Sequence, residues 1–270
     1  MKYAARPKSS KKKTSRNYKK SYIRSTKPSK SFTKAVQSVI HKDAENKSAY
    51  HAIDTVSFNS GINSTGDMQR ILPNCQVGTA ENQRIGEQCR LQSLSLKGHL
   101  MLSTANNSIA NSRIGVRVFI VQPRNLSGFP DVTASATWLN RLLQKGGANV
   151  GFTGIISDLY APINTDDIIT YYDKVYYCTM PYIYTATLGV PTSGYSTTTI
   201  DYLNSVKFFN IKLKVKNKLL KYDKDYSGDQ PTSYSPVMLV GYTHLDGSAA
   251  DVVTTQVQVS YDSVSSYEDM

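Results

Sequence analysis

The sequence predicts an all-β protein: a single jelly-roll β-sandwich of about eight strands with long loops, preceded by a disordered basic N-terminal arm. Three observations lead there. Apolar residues alternate with polar ones over long stretches, which marks strands with one buried face. The 19 tyrosines, with many Thr and Val, suit strand propensity. Net positive charge is concentrated at one end of the chain. The 270 residues, 40% of them hydrophobic, suffice for one sandwich domain plus an appendage. The division falls at 1–47 for the arm and 48–270 for the body.

Residues 1–42 hold eleven Lys and three Arg and no acid, a charge of +14. The remaining 18 basic and 20 acidic residues leave the rest of the chain at −2. A run of like charges repels itself and has no core to join, so the arm is expected to be disordered alone. Its natural partner is a polyanion, bound through counterion release rather than base reading. Lys8, Lys11, Lys12, Lys13, Arg16, Lys19, Lys20 and Arg24 are the phosphate-binding candidates. Tyr18 and Tyr22 stand between them as rings on which unpaired bases stack, which favours single-stranded nucleic acid. Lys11, Lys12, Lys13, Arg16, Lys19 and Lys20 also fit a nuclear-import signal, which adds a host import receptor as a partner. At the end of the arm, Phe32, Ala35, Val36, Val39 and Ile40 share one face of a short helix.

Beyond residue 48 the strands follow in order. Residues 52–58, 168–177, 182–188 and 236–243 are apolar or aromatic runs. Leu94, Leu96, Gly98, Leu100 and Leu102 alternate with Ser95, Lys97, His99 and Met101. Ile114, Val116, Val118 and Ile120 alternate with Arg113, Gly115 and Arg117, again predicting one buried face. Phe209, Ile211, Leu213 and Val215, and later Thr255, Val257, Val259 and Tyr261, repeat the pattern. A helix is expected over 138–145, capped by Thr137 and stopped by Gly146-Gly147. Connections at 59–67, 74–88, 122–137, 189–199 and 222–235 are long, and on a β body such loops are usually functional surfaces.

Catalytic and metal chemistry leave no trace. The four histidines, His41, His51, His99 and His244, follow neither HxH nor HExxH spacing. No phosphate-binding glycine loop or nucleophile elbow occurs. Cys75, Cys89 and Cys178 are odd in number, form no CxxC, and read as packing residues in a reducing compartment. We therefore expect no enzyme, no cofactor and no metal. No apolar run reaches the roughly 18 residues of a membrane span, and no secretory signal opens the sequence, so membrane insertion is not expected.

One feature of the body remains. Lys207, Lys212, Lys214, Lys216, Lys218, Lys221 and Lys224 place seven of its 18 basic residues within 18 positions. On one continuous strand, Lys212, Lys214, Lys216 and Lys218 would point to one side. Two readings stand side by side: a second basic patch facing the same nucleic acid, or an edge strand kept soluble by lysine.

The arm, the run Gly78-Thr79-Ala80-Glu81-Asn82-Gln83-Arg84-Ile85-Gly86, and the strand running from Arg90 through Leu94, Leu96 and Gly98 to Leu100 are similar to the capsid proteins of circular Rep-encoding single-stranded DNA viruses, the circovirus-like group. The specific stretch covers about 25 residues, although the plan covers the chain. The arm is Lys-rich where circovirus arms are Arg-rich, which points to the wider group rather than the circoviruses themselves. The resemblance implies a jelly-roll subunit, about 60 copies of which close into the smallest icosahedral shell. It also implies packaging of single-stranded DNA by an inward arm, and a location in the virion and, during assembly, the host nucleus. Small RNA viruses share the plan, so a coat protein of that kind is an alternative. A cellular nucleic-acid-binding β-sandwich is another, although its folded surface would ordinarily be basic and this body is at −2.

Overall fold

The computed structural model describes residues 29–43, 46–80, 82–102, 113–179, 182–188, 195–201, 204–215, 217–223, 229–247 and 257–269. The chain divides into two units, 1–43 and 44–270. In the first, α1 spans Lys30–Asp43, covering the helix read from the sequence. Ser29 caps it, its Oγ accepting the Phe32 N–H at 3.2 Å. Phe32, Val36 and Val39 lie exposed on one face.

The second unit is a sandwich of two antiparallel sheets. The strands are β1 (Asn46–Phe58), β2 (Gln69–Arg70), β3 (Gln88–Leu102), β4 (Arg113–Pro123), β5 (Leu143–Lys145), β6 (Ala148–Val150), β7 (Ile168–Thr179), β8 (Tyr182–Leu188), β9 (Tyr195–Asp201), β10 (Val206–Leu213), β11 (Lys218–Lys221), β12 (Val237–His244) and β13 (Val257–Asp269). The first sheet has the order β1-β13-β3-β10, with β11 also on β3, and the second β2-β12-β4-β7. Taking those eight principal strands in chain order, the sheets read 1-8-3-6 and 2-7-4-5. Successive strands alternate between the two sheets, except that the fourth and fifth are neighbours in the second, and the first and last are neighbours in the first; this is the jelly roll. All eight predicted strands are present. The hairpins β5–β6 and β8–β9 lie outside the two main sheets.

Between the sheets lies the main core. The first sheet contributes Leu94, Leu96, Leu100, Ile211, Val257 and Val259, and the second Ile114, Val116, Val118, Ile120, Met238 and Val240. Gly98 is part of this packing. A Cβ there would stand 2.2 Å from the Ser260 carbonyl oxygen and 2.7 Å from both Phe209 Cζ and Tyr261 Cβ. Backbone cannot yield as a side-chain tip can. Gly98→Ala is therefore expected to destabilise the body by about 1–3 kcal/mol, read as a lower denaturant midpoint at unchanged slope.

The prediction of a single buried face fails for β4, in which every residue from Ile114 to Pro123 is buried. β12 is buried throughout as well. The connection from β4 to β7 folds back over the second sheet and forms another core, where Phe119, Val121, Val237 and Leu239 meet Val132, Leu139, Leu142, Phe152 and Ile163. Arg117 is consequently interior rather than solvated. Its guanidinium grips the Asp173 carboxylate at 2.7 and 2.8 Å and donates to the Asp158 and Ala161 carbonyls.

That connection also corrects the helix expected over 138–145. A 3₁₀ turn spans Thr137–Arg141, and β5 follows. Gly146 and Gly147 have φ of +56° and +85°. They form the two-residue turn of the β5–β6 hairpin, which requires left-handed backbone, instead of ending a helix. The connection read over 189–199 includes part of β9.

The three cysteines are buried and unbridged. Burial pushes the Cys89 thiol from its ordinary 9.0 up to about 12, and that of Cys178 to about 11. Burial likewise raises the phenols of Tyr222, Tyr234 and Tyr261. These acids keep their protons in the native state at pH values where the unfolded chain has released them. Their contribution to stability is complete below about pH 9 and is lost as pH rises through the native values. The unfolding free energy should hold to about pH 9 and then fall, by up to about 1.4 kcal/mol per pH unit for each group, and the urea midpoint should fall with it. A midpoint that stays flat to pH 10.5 would contradict this.

Candidate nucleic-acid interface

Among the described residues, covering of the second sheet leaves one broad open face, the outer side of the first. Inward residues of β10 (Phe209, Ile211 and Leu213) and the following Val215 are buried, while Phe208, Asn210, Lys212 and Lys214 are exposed. Strand register places Lys212 beside Ser95 and Asn210 beside Lys97. Lys97 in turn stands beside Asp262 on β13, which pairs with Ala52 on β1. The face is therefore polarised. Lys97, Lys212 and Lys214 gather on the β3–β10 half, and Asp54 and Asp262 sit toward β1. The whole face, three strand spacings wide, measures about 14 Å from β1 to β10.

The lysine ladder is not one strand. β10 ends at Leu213, and β11 carries Lys218 and Lys221 along the early part of β3. Lys218 Nζ stands 5.2 Å from the centre of the Tyr234 ring. Lys207 is half-buried and donates to Asn204 Oδ1 at 3.1 Å. Lys212 thus takes its predicted outward position on β10, the outermost strand of the sheet, and Lys214 is exposed just beyond it. Lys218 is exposed on β11 instead of continuing the same strand, and Lys216 lies outside the described residues. Also outside them are Lys8, Lys11, Lys12, Lys13, Arg16, Tyr18, Lys19, Lys20, Tyr22 and Arg24.

Two further residues join this face. His99, on the polar side of the β3 alternation, is half-buried, its ring 5.9 Å from that of Phe208 and tilted by 53°. Phe208 itself is 79% exposed. The signal was the doublet Phe208-Phe209: neighbours on a strand point to opposite faces, so one of the two had to face outward.

The chain enters the sheet at Asn46, in the row formed with Glu268, Arg90 and Leu219. The entry point is held by a buried ion pair, Lys47 Nζ to Asp269 Oδ2 at 3.2 Å. Lys47 also donates to the Gln83 carbonyl at 2.9 Å, and Asp269 Oδ2 accepts the Ile85 N–H at 2.6 Å. Arg84, buried, lies 4.1 Å over the Tyr222 ring and donates to the Cys75 carbonyl. The run around Gly78 and Gly86, singled out in the sequence, is thus the loop that clamps the first and last strands together. Among the described residues no group of His, Cys, Asp or Glu could hold a metal ion, and no helix is long and apolar enough to cross a membrane.

No family model matches the sequence, and no curated protein does. Among solved structures, the chain is weakly similar to viral capsid proteins. One is from the T13 IBDV viral particle, at 11% identity and a TM-score of 0.23, over 84% of this chain and 77% of that one. Another is VP2 of an infectious bursal disease virus subviral particle, at 12% identity and a TM-score of 0.18, over 84% and 80% of the two chains. The jelly-roll assignment rests on the strand order itself.

Proposed function

We propose that this chain is the structural, non-enzymatic subunit of a small icosahedral virus shell, packaging single-stranded DNA through residues 1–47 and the β3–β10 face, and that the arm also directs nuclear import. The body is the 48–270 domain. The observation that carries this reading is the joining of +14 in residues 1–42 to a remainder, residues 43–270, that carries the jelly roll and stands at −2. Such a body has no net attraction for a polyanion, whereas the arm concentrates it. The sequence resemblance to the circovirus-like capsid proteins agrees.

The deciding experiment is negative-stain microscopy of the purified protein. Uniform closed particles support the shell, and a monomer refutes it. Binding should be electrostatic and indifferent to sequence, with similar salt slopes for unrelated single strands. Changing Lys11, Lys12 and Lys13 together to Ala should lower the slope of log affinity against log salt by about 2 for single strands. Binding that ignores salt, or that prefers one short sequence, would contradict this.

A further inference from the structure

The outer face of the first sheet holds an exposed ring that neither the fold nor the arm explains. Phe208 keeps 79% of its surface in water, at a real cost in apolar exposure. One edge is backed by the His99 ring at 5.9 Å. Phe208 stands opposite His99 in the ladder; Asn210, opposite Lys97, is the next outward position along β10, and Lys212 is the one after it. The nearest acid along these rows is Asp262, on the far side of Lys97.

A flat ring, supported by a second ring and flanked by cations and an amide, suits a flat apolar ligand that carries negative charge beside it. An unpaired nucleotide is such a ligand: its base has a π-face and its phosphate is an anion. A base within a duplex is already stacked on both sides and offers no face.

We propose that Phe208, backed by His99, is a stacking subsite for an unpaired base, with Lys97 and Lys212 neutralising the neighbouring phosphates, so that this face distinguishes single-stranded from double-stranded nucleic acid. The inference deepens the packaging reading and rests on it. The arm supplies charge, which attracts both forms. The ring supplies the preference.

The test uses the full chain. Affinities for an unstructured 20-nucleotide oligothymidine and for a duplex of equal length are measured by fluorescence anisotropy across a salt series. Phe208→Ala should weaken single-strand binding by about five- to a hundredfold, leave its salt slope unchanged and leave duplex binding intact. Phe208→Trp should restore the loss. Photocrosslinking with bromodeoxyuridine-substituted strands should mark the peptide that contains Phe208. The proposal is overturned if Phe208→Ala binds like the parent, if single-strand and duplex affinities fall together, or if crosslinks are confined to residues 1–47. It is also overturned if Phe208→Ala prevents particle formation while single-strand affinity holds, since the ring is then a subunit contact. Failure of the packaging reading is distinguishable, because the unsubstituted chain would itself fail to bind single strands; the subsite would fall with it.

Discussion

Removal of residues 1–42 is expected to leave the thermal transition of the body nearly unchanged and to strip the protein of co-purifying nucleic acid. Both halves of this expectation have a physical basis. Among the described residues, the two cores of the body draw on none before Ala49, and the clamp at the start of β1 begins with Lys47. Truncation ahead of Asp43 touches neither. It does remove all +14 of the arm and leaves a chain at −2. Neutralising six to ten phosphates is worth about 10³–10⁵ in affinity between 200 and 50 mM salt, and a nearly neutral body cannot supply that. Lys97, Lys212 and Lys214 are too few to replace it, so the absorbance ratio of the truncated protein should be that of protein alone. A truncated chain that fails to fold would make the arm structural, and one that keeps its nucleic acid would move the binding to the body.

Seven of the eight main strands were legible because a half-buried strand writes its burial as alternation; the two-residue β2 is too short to show a period, and the run at 182–188 became β8, outside the sandwich. β3, β10 and β13 each bury one face and read clearly. β4 did not, although Val118, Phe119, Ile120 and Val121 form a continuous apolar run of the kind a doubly buried strand shows. The polar Arg117, in step with the alternation, reads as a solvent-facing position. Its actual partner, Asp173, is 56 residues away in the chain, and no local rule reveals it. Gly146-Gly147 failed for a related reason. Glycine after an apolar run can stop a helix or turn a hairpin, and only the pairing of Leu143 with Val150 decides between them. At the candidate interface, the outward positions of Lys212 and Lys214 followed from periodicity alone. The juxtaposition of His99 with Phe208 depended on the register between β3 and β10, which is a tertiary property.

The largest single-residue effect on stability is expected at Asp269. Its carboxylate accepts from Lys47 Nζ at 3.2 Å, from the Ile85 N–H at 2.6 Å and, through its other oxygen, from the Gly86 N–H at 3.5 Å. The Lys47 and Asp269 side chains are 1% and 5% exposed. Asp269→Ala strands a buried ammonium and two backbone donors together, which should cost about 3–5 kcal/mol. Lys47→Met should cost less, because the carboxylate keeps both backbone donors and the methionine stem fills the same space. Combining Lys47→Met with Asp269→Asn should recover much of the loss, since no isolated charge then remains buried; a double-mutant cycle on denaturant midpoints measures the coupling. The consequence reaches beyond stability. Lys47 is where the chain passes from the arm into the sheet, and the pair fastens that point to β13 and to the loop around Arg84. An arm bound to nucleic acid pulls at this position, and without the clamp the pull would fray β1 from β13. Asp269→Ala should therefore also expose the 76–86 loop to proteolysis. A cost below about 1 kcal/mol with the loop still protected would show that water already shares the pair and that the clamp lies elsewhere.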